Sequence, residues 1–220
     1  MNPIIEIENA TYSYQNKYQS VPAIQDVTTA FEKGRLYAII GKSGSGKSTL
    51  LSLMAGLALP EKGEIRFQGV PTDSFDLDHY RREKVAVIYQ SFNLFPLMTC
   101  LENVCYPLEL KGCSPKEAAV IAADYIKKVD LPESVHNRFP NMLSGGEQQR
   151  IAIARSLASG AQVILADEPT GNLDVATGQR IVKLLSDLVH KDQYTVIIVT
   201  HDISVADVAD EVLQMADGKL

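Results

Sequence analysis

The stretch "RLYAIIGKSGSGKS", residues 35–48, decides the fold. Its first half, "RLYAIIG" (35–41), is a continuous apolar run of the kind found in strands covered on both faces. It leads directly into Gly41, Lys42, Ser43, Gly44, Ser45, Gly46, Lys47 and Ser48. Beyond this loop, Leu50, Leu51, Met54 and Leu57 fall at helical spacing and predict an amphipathic helix. Strand, glycine-rich loop and helix in that order make a Walker A phosphate loop. Glycines let successive N–H groups turn inward around an anion, and the unpaired amides of a helix start favour negative charge. Lys47 sets a compact positive charge against the β- and γ-phosphates, and the Ser48 hydroxyl can ligate Mg²⁺.

Outward from this loop, further apolar strands are predicted at "VAVIY" (85–89), "VILAD" (163–167) and "TVIIVTH" (195–201), alternating with helical patterns. That alternation predicts a mostly parallel sheet. The N-terminal part has a different texture. "IIEIENATYSY" and "EIRFQG" alternate apolar and polar residues, as in a half-exposed antiparallel sheet packed on the edge of the core. From about residue 94 to 159 strand signals stop. Three helix starts there pair a Ser or Thr with Glu three residues on: Thr99 with Glu102, Ser114 with Glu117 (Pro115 at the first helical position), and Ser144 with Glu147. The expected fold is α/β: a P-loop NTPase core with a mostly parallel sheet, an N-terminal antiparallel β subdomain and a helical subdomain insertion. It forms a single domain over 1–220, with the core and antiparallel part in 1–93 and 160–220 and the helical subdomain at about 94–159.

Composition narrows the class. The 220 residues are 45% hydrophobic and 22% charged, which suits one globular domain. A net charge of −6, with no Lys/Arg run longer than a pair, disfavours nucleic acid as a partner. Cys100, Cys105 and Cys113 have neither paired spacing nor histidine partners and read as reduced apolar residues. No apolar run approaches the roughly 18 residues needed to span a bilayer, and the N-terminus has no leader pattern. The expected location is cytoplasmic, with any membrane attachment made through a partner. The stop at Leu220, just after an Asp217-Gly218 turn, makes the last hairpin strand short and suggests a trimmed C-terminus.

Nucleotide chemistry needs a carboxylate near the magnesium and a group that orients or deprotonates water. "VILADE" ends an apolar strand in Asp167 and Glu168, where ligands of open α/β sheets bind. Asp167 is the candidate magnesium partner and Glu168 the candidate general base. "TVIIVTH" delivers Thr200 and His201 to the same sheet edge, placing His201 near the γ-phosphate. Gln90, just after "VAVIY", can offer its amide oxygen to Mg²⁺ or to the attacking water. "SGGE" at 144–147 is a second glycine-opened helix start, about a hundred residues after the first.

Taken together, these residues resemble the nucleotide-binding subunits of ABC transporters: Walker A at 41–48, Gln90 as the Q-loop, "LSGGE" at 143–147 as the signature, "VILADE" as Walker B, "GNLD" at 171–174 as the D-loop and His201 as the switch histidine. The match covers essentially the whole chain. It implies an ATPase using ATP and Mg²⁺, with Glu168, His201 and Gln90 catalytic, residues Gly41 to Ser48 and Thr49 around the nucleotide, and Ser48, Gln90 and Asp167 around the metal. It also implies that two copies pair head to tail. Ser144, Gly145 and Gly146 of one copy would then contact the ATP held by the other, with Asp174 at the seam. An aromatic residue that stacks on adenine matches Tyr14, with Tyr12 as its rival. "ADEPTGNLD" with "QSFNLFPLMTCLENVCYPL" is similar to the lipoprotein-release, macrolide-export and antimicrobial-peptide-resistance branch. In that branch a separate integral-membrane permease is the partner, and "FNLFPLM" would help form the groove for its cytoplasmic helix or else pack in the subunit's own core. An alternative within the same resemblance is a mechanotransmission module that drives a membrane partner without moving a solute. A soluble ATPase acting on ribosomes or DNA is disfavoured by the acidic charge and by the presence of only one nucleotide unit.

Overall fold

The computed structural model describes residues 3–15 and 19–220. In chain order its elements are β1 (Ile5–Gln15), β2 (Ser20–Phe31), β3 (Leu36–Ile40), α1 (Lys47–Met54), β4 (Lys62–Phe67), β5 (Val70–Pro71), α2 (Leu77–Glu83) and β6 (Val85–Tyr89). These are followed by α3 (Cys100–Leu110), α4 (Pro115–Lys128), α5 (Gly145–Ala158), β7 (Val163–Asp167), α6 (Val175–Asp192), β8 (Thr195–Thr200) and β9 (Glu211–Gln214). Two sheets result. One is antiparallel, in the order β2-β1-β4-β5, and the other is parallel, in the order β6-β7-β8-β3-β9.

The parallel sheet separates two cores, which is why its inner strands β3, β7 and β8 are apolar along most of their length. Leu36, Ala38, Ile164, Ala166, Val196 and Ile198 face one core, shared with α3 to α6. Tyr37, Ile39, Val163, Leu165, Ile197 and Val199 face the other, shared with α1 and the antiparallel sheet. The period of two along each strand sends alternate side chains to opposite faces, and along β3, β7 and β8 both faces are dry, whereas edge strand β9 is largely exposed. The antiparallel sheet buries Ile5, Ile7, Ile24, Val27, Phe31, Ile65 and Phe67 on one side only.

All three predicted capping boxes form. The Thr99, Ser114 and Ser144 side chains each accept from the amide three residues on, and Glu102, Glu117 and Glu147 reach back to the cap residue's own amide. The resulting α3, α4 and α5 pack on one another. One helix expectation needs correcting. α1 ends at Met54, because Gly56 takes a left-handed φ of 64° tight against the Tyr80 ring, and Leu57 lies beyond it, half exposed. Leu53 fills the buried face instead. The C-terminal hairpin is reduced to a single bridge, Ala216 with Lys219, around left-handed Asp217 and Gly218, while β9 joins the parallel sheet beside β3. Cys100, Cys105 and Cys113 are free thiols, and burial pushes the first two up to about 11.

Candidate functional site

β3, β7 and β8 are neighbours, and their carboxyl ends carry the phosphate loop, the acidic pair and the histidine to one edge. A cleft of about 710 Å³ opens there, lined by Tyr14, Lys42, Ser43, Gly44, Gly46, Lys47, Ser48, Thr49, Gln90, Asp167, Glu168 and His201. Gly41 and Ser45 belong to the same loop but pack beneath it, where a Cβ on Gly41 would lie 2.3 Å from the Met215 carbonyl oxygen and 2.7 Å from Ser45 Oγ. Lys47 Nζ donates to the Gly41 and Lys42 carbonyls at 2.7 and 3.0 Å, bending across the loop it would share with a phosphate. Gly46 takes a φ of 105°, and a Cβ there would meet the Ala23 carbonyl oxygen at 2.4 Å. Only glycine fits both demands.

The acidic strand end divides into two differently held carboxylates. Asp167 Oδ1 accepts from Ser48 Oγ at 2.9 Å. Burial raises the Asp167 carboxyl above its ordinary value, the Ser48 bond and Lys47 oppose that rise, and Glu168 adds to it. Glu168, with a left-handed φ of 47°, turns its side chain the other way. Its Oε2 accepts from Thr200 Oγ1 at 2.9 Å and from the His201 amide at 3.4 Å, and its Oε1 lies 2.9 Å from His201 Nδ1. Asp167 thus faces the Walker A serine, and Glu168 is aimed by the end of β8. Gln90 lies one residue past β6, the strand paired with β7, and its Nε2 donates to Asn172 Oδ1 at 3.1 Å.

Ser48, Asp167 and Gln90 offer the hard oxygen donors that suit Mg²⁺. Ser45 Oγ is buried with no hydrogen-bond partner among the described residues, as a phosphate-binding loop requires of a donor kept for its ligand. The residues present therefore fit both a nucleotide phosphate and its magnesium.

Other predicted residues lie elsewhere. Ser144 caps α5 outside the cleft, and the Gly145 and Gly146 backbone packs against Leu173, Phe92 and Thr177. Asp174 caps α6, accepting from the Thr177 amide at 3.0 Å. A single chain therefore does not bring the signature to its own phosphate loop. Tyr14 is 53% exposed at the cleft mouth, with its hydroxyl 3.1 Å from Thr49 Oγ1, whereas Tyr12 packs against the core beneath it. Of the two rings, Tyr14 is the one exposed at the cleft. In "FNLFPLM", Leu94 packs into the core, Leu97 stands 90% exposed, and Phe95 lines a separate groove of about 360 Å³ with Tyr89, Tyr106, Leu110 and Arg155.

Four supporting contacts involve residues outside the predicted site set. The Gly218 amide donates to the Ser45 carbonyl at 2.9 Å, and Gln25 of β2 donates to Asp217 and Gly218 at 2.8 Å, so the C-terminal turn braces the phosphate loop. Arg155 of α5 donates to the carbonyls of Asn93 and Phe92, both left-handed, and its guanidinium lies over the Phe95 ring. Buried Asn103 holds Phe95, Met98 and Thr99 through their backbones. Asn172 holds Gln90. The signal for Asn172 was its place inside "GNLD"; none of the others has a sequence signature.

Residues 24–171 match the sequence profile of the family described as ABC transporter. The chain belongs to the ABC transporter family. Among its relatives, this ABC protein is 41% identical to the uncharacterized ATP-binding protein MJ0796 of Methanocaldococcus jannaschii, over 99% of this chain and 95% of that one. It is 37% identical to a protein named lipoprotein-releasing system ATP-binding protein LolD 2, of Rhodopirellula baltica, over 99% and 88%. It is 40% identical to the macrolide export ATP-binding/permease protein MacB of Marinobacter nauticus, where 99% of this chain corresponds to only 34% of the relative. Among solved structures, the dimeric MJ0796 cassette in a post-hydrolysis state bound to ADP and Pi superposes with a TM-score of 0.90 at 40% identity, covering 98% of this chain and 96% of that one. The chain is an ABC transporter ATP-binding subunit and an ATPase, with ATP and Mg²⁺ as its nucleotide and metal. Among the described residues no helix is long and apolar enough to cross a membrane.

Proposed function

We propose that this subunit pairs with a second copy around ATP and drives a separate integral-membrane permease, for export or extracytoplasmic release. The observation that carries the reading is the joining, in one cleft, of a phosphate loop with a carboxylate that β8 aims away from the metal ligands. In this reading the unit is a single domain over 1–220, with the helices of about 94–159 forming its arm and the groove at Phe95 receiving the permease. It works at the cytoplasmic face of the membrane, held there by the permease. The names of the lipoprotein-releasing and macrolide-export relatives support the branch, and the dimeric neighbour supports the pairing.

Each residue then has a task. The glycine loop amides and Lys47 bind the phosphates, with Ser43, Ser45 and Thr49 completing the loop and Tyr14 offering a face to the base. Ser48, Asp167 and Gln90 hold Mg²⁺, which neutralises phosphate charge when bound. Glu168 accepts the proton of the attacking water while Thr200 and His201 fix its direction. Ser144, Gly145 and Gly146 of the partner copy close over the nucleotide, with Asp174 at the seam. ATP bound between two chains stabilises the closed pair by mass action, and hydrolysis removes that stabilisation.

Glu168→Gln tests this reading. The amide keeps the size of the side chain but cannot take a proton, so turnover should fall at least ~100-fold, while ATP affinity persists and an ATP-bound dimer accumulates on size-exclusion chromatography. Hydrolysis at the wild-type rate would overturn the assignment of Glu168.

A further inference from the structure

We propose that Asn172, with Gly171, is the positioning element that sets which end of the Gln90 side chain faces the metal and water. The inference rests on the role of Gln90 given above. An amide side chain has one donating and one accepting end, and packing alone distinguishes them poorly because the two ends have the same shape. Here the backbone breaks the ambiguity. The Gln90 carbonyl oxygen can only accept, and the end of Asn172 that meets it at 3.0 Å is therefore the NH₂ group, Nδ2. The opposite end of Asn172 must then be its oxygen, and it takes a hydrogen bond from Gln90 Nε2 at 3.1 Å. Gln90 is held by its nitrogen, which leaves its carbonyl oxygen as the end available to a cation or to water. A glutamine turned the other way would present N–H donors to a cation, which is repulsive.

Gly171 completes the cradle. A Cβ at this position would lie 2.7 Å from Gln90 Nε2 and 3.0 Å from its Cδ, so the amide occupies space that any larger residue would fill. The turn carrying both residues is anchored at the general base itself, since the Gly171 amide donates to the Glu168 carbonyl at 3.0 Å. β6 and β7 pair with Tyr89 opposite Asp167, which brings the ends of the two strands, and so Gln90 and this turn, together. The loop that follows the acidic pair thus reaches back and orients the neighbouring strand's glutamine. Rotation of that loop when two copies close would move Gln90 and Glu168 together.

The test is a double-mutant cycle on the whole 220-residue chain, read by steady-state ATPase kinetics, by Mg²⁺ titration and by equilibrium binding of Mn²⁺ to the nucleotide-loaded chain, which each variant should weaken, with thermal melting as a control for folding. Gln90→Ala and Asn172→Ala should each lower kcat roughly tenfold, with KM for ATP changed less than about twofold, and should raise the Mg²⁺ needed for half-maximal rate. The Gln90→Ala/Asn172→Ala double variant should be no slower than Gln90→Ala, because the asparagine acts only through the glutamine. Gly171→Ala should reproduce the Asn172→Ala phenotype. If Gln90→Ala is slow but Asn172→Ala keeps the wild-type rate and Mg²⁺ requirement, the inference fails while the role of Gln90 stands. Additive losses in the double variant also overturn it, by showing that Asn172 acts on something else. Wild-type turnover by Gln90→Ala removes the role of Gln90 and the inference with it.

Discussion

The chain has two helix starts built from serine and glycine, and they are finished in opposite ways. At α1 the cap residue is Gly46, left-handed and without a side chain to cap the first turn, and the preceding loop leaves the buried Ser45 hydroxyl unpaired among the described residues. At α5 the cap is Ser144, in extended conformation, and the turn is closed on itself. Glu147 Oε2 accepts from the Ser144 amide at 2.8 Å and from its hydroxyl at 2.7 Å. The first start leaves its hydrogen-bonding capacity open to a ligand at the cost of local stability. The second is a stable, preformed surface, and its carboxylate is folded back onto its own backbone rather than directed outward. That difference is what a site that grips phosphate and a lid that meets it from another molecule would each require.

The comparison breaks hardest at Gly46. Gly46→Ala places a Cβ against the Ala23 carbonyl in a φ region that side chains avoid. It should cost about 1–3 kcal/mol of stability and at least ~10-fold in ATP affinity, measured by urea denaturation and nucleotide titration. Ser144→Ala should have a smaller effect. Loss of the cap costs about 1 kcal/mol, and because Ser144 lies outside the cleft of its own chain, ATP affinity of the isolated chain should hold while ATP-driven dimerisation weakens. Glu147→Gln should be mildest, since glutamine can also complete a capping box. ATPase activity should stay within about twofold, and a large gain in dimerisation would show that the charge faces incoming nucleotide.

The same substitution sharpens the pH behaviour. The Ser144 hydroxyl and amide hold the Glu147 carboxyl below the ordinary glutamate value. A carboxylate with a depressed folded-state value contributes stability that is complete above its unfolded value and disappears as pH falls through the folded one. The stability advantage of the wild type over Glu147→Gln should therefore shrink as pH drops below about 4.3. A difference unchanged between pH 7 and pH 3 would show that the box contributes no charge-dependent stabilisation.

Legibility in the sequence followed the range of the interactions. The phosphate loop, the apolar strands and the three capping boxes depend on residues within a few positions of one another, and each appears where its spacing indicated. β2 was not predicted, and the reason is specific. Its buried residues Ile24, Val27 and Phe31 are spaced three and four apart, as in a helix, because left-handed Asp26 and a register shift opposite Ala10 and Tyr12 break the alternation of the strand. The bulge exists only because β1 lies alongside. The end of α1 was misplaced for a similar reason, since Gly56 terminates the helix against Tyr80, a residue 24 positions later. In the cleft, Asp167, Glu168 and His201 were readable because apolar strands end at them. The tie from Asn172 to Gln90 and the Gly218 brace were not, because each serves a partner from another element, although "GNLD" marks Asn172 itself.

By itself, the sequence determined the chemistry available: a loop whose glycines admit an anion, carboxylates and a histidine at strand ends, and a capped helix start with a serine and two glycines. Those are matters of backbone freedom, side-chain type and local hydrogen bonding. Only the tertiary structure decided how they are shared out. The order β6-β7-β8-β3-β9 puts Gln90, Glu168 and His201 on one edge with Lys47, turns Asp167 toward Ser48 and Glu168 toward Thr200, and leaves Ser144 outside that cleft. Strand order and the direction of a carboxylate depend on contacts between residues far apart in the chain, and no local pattern encodes them.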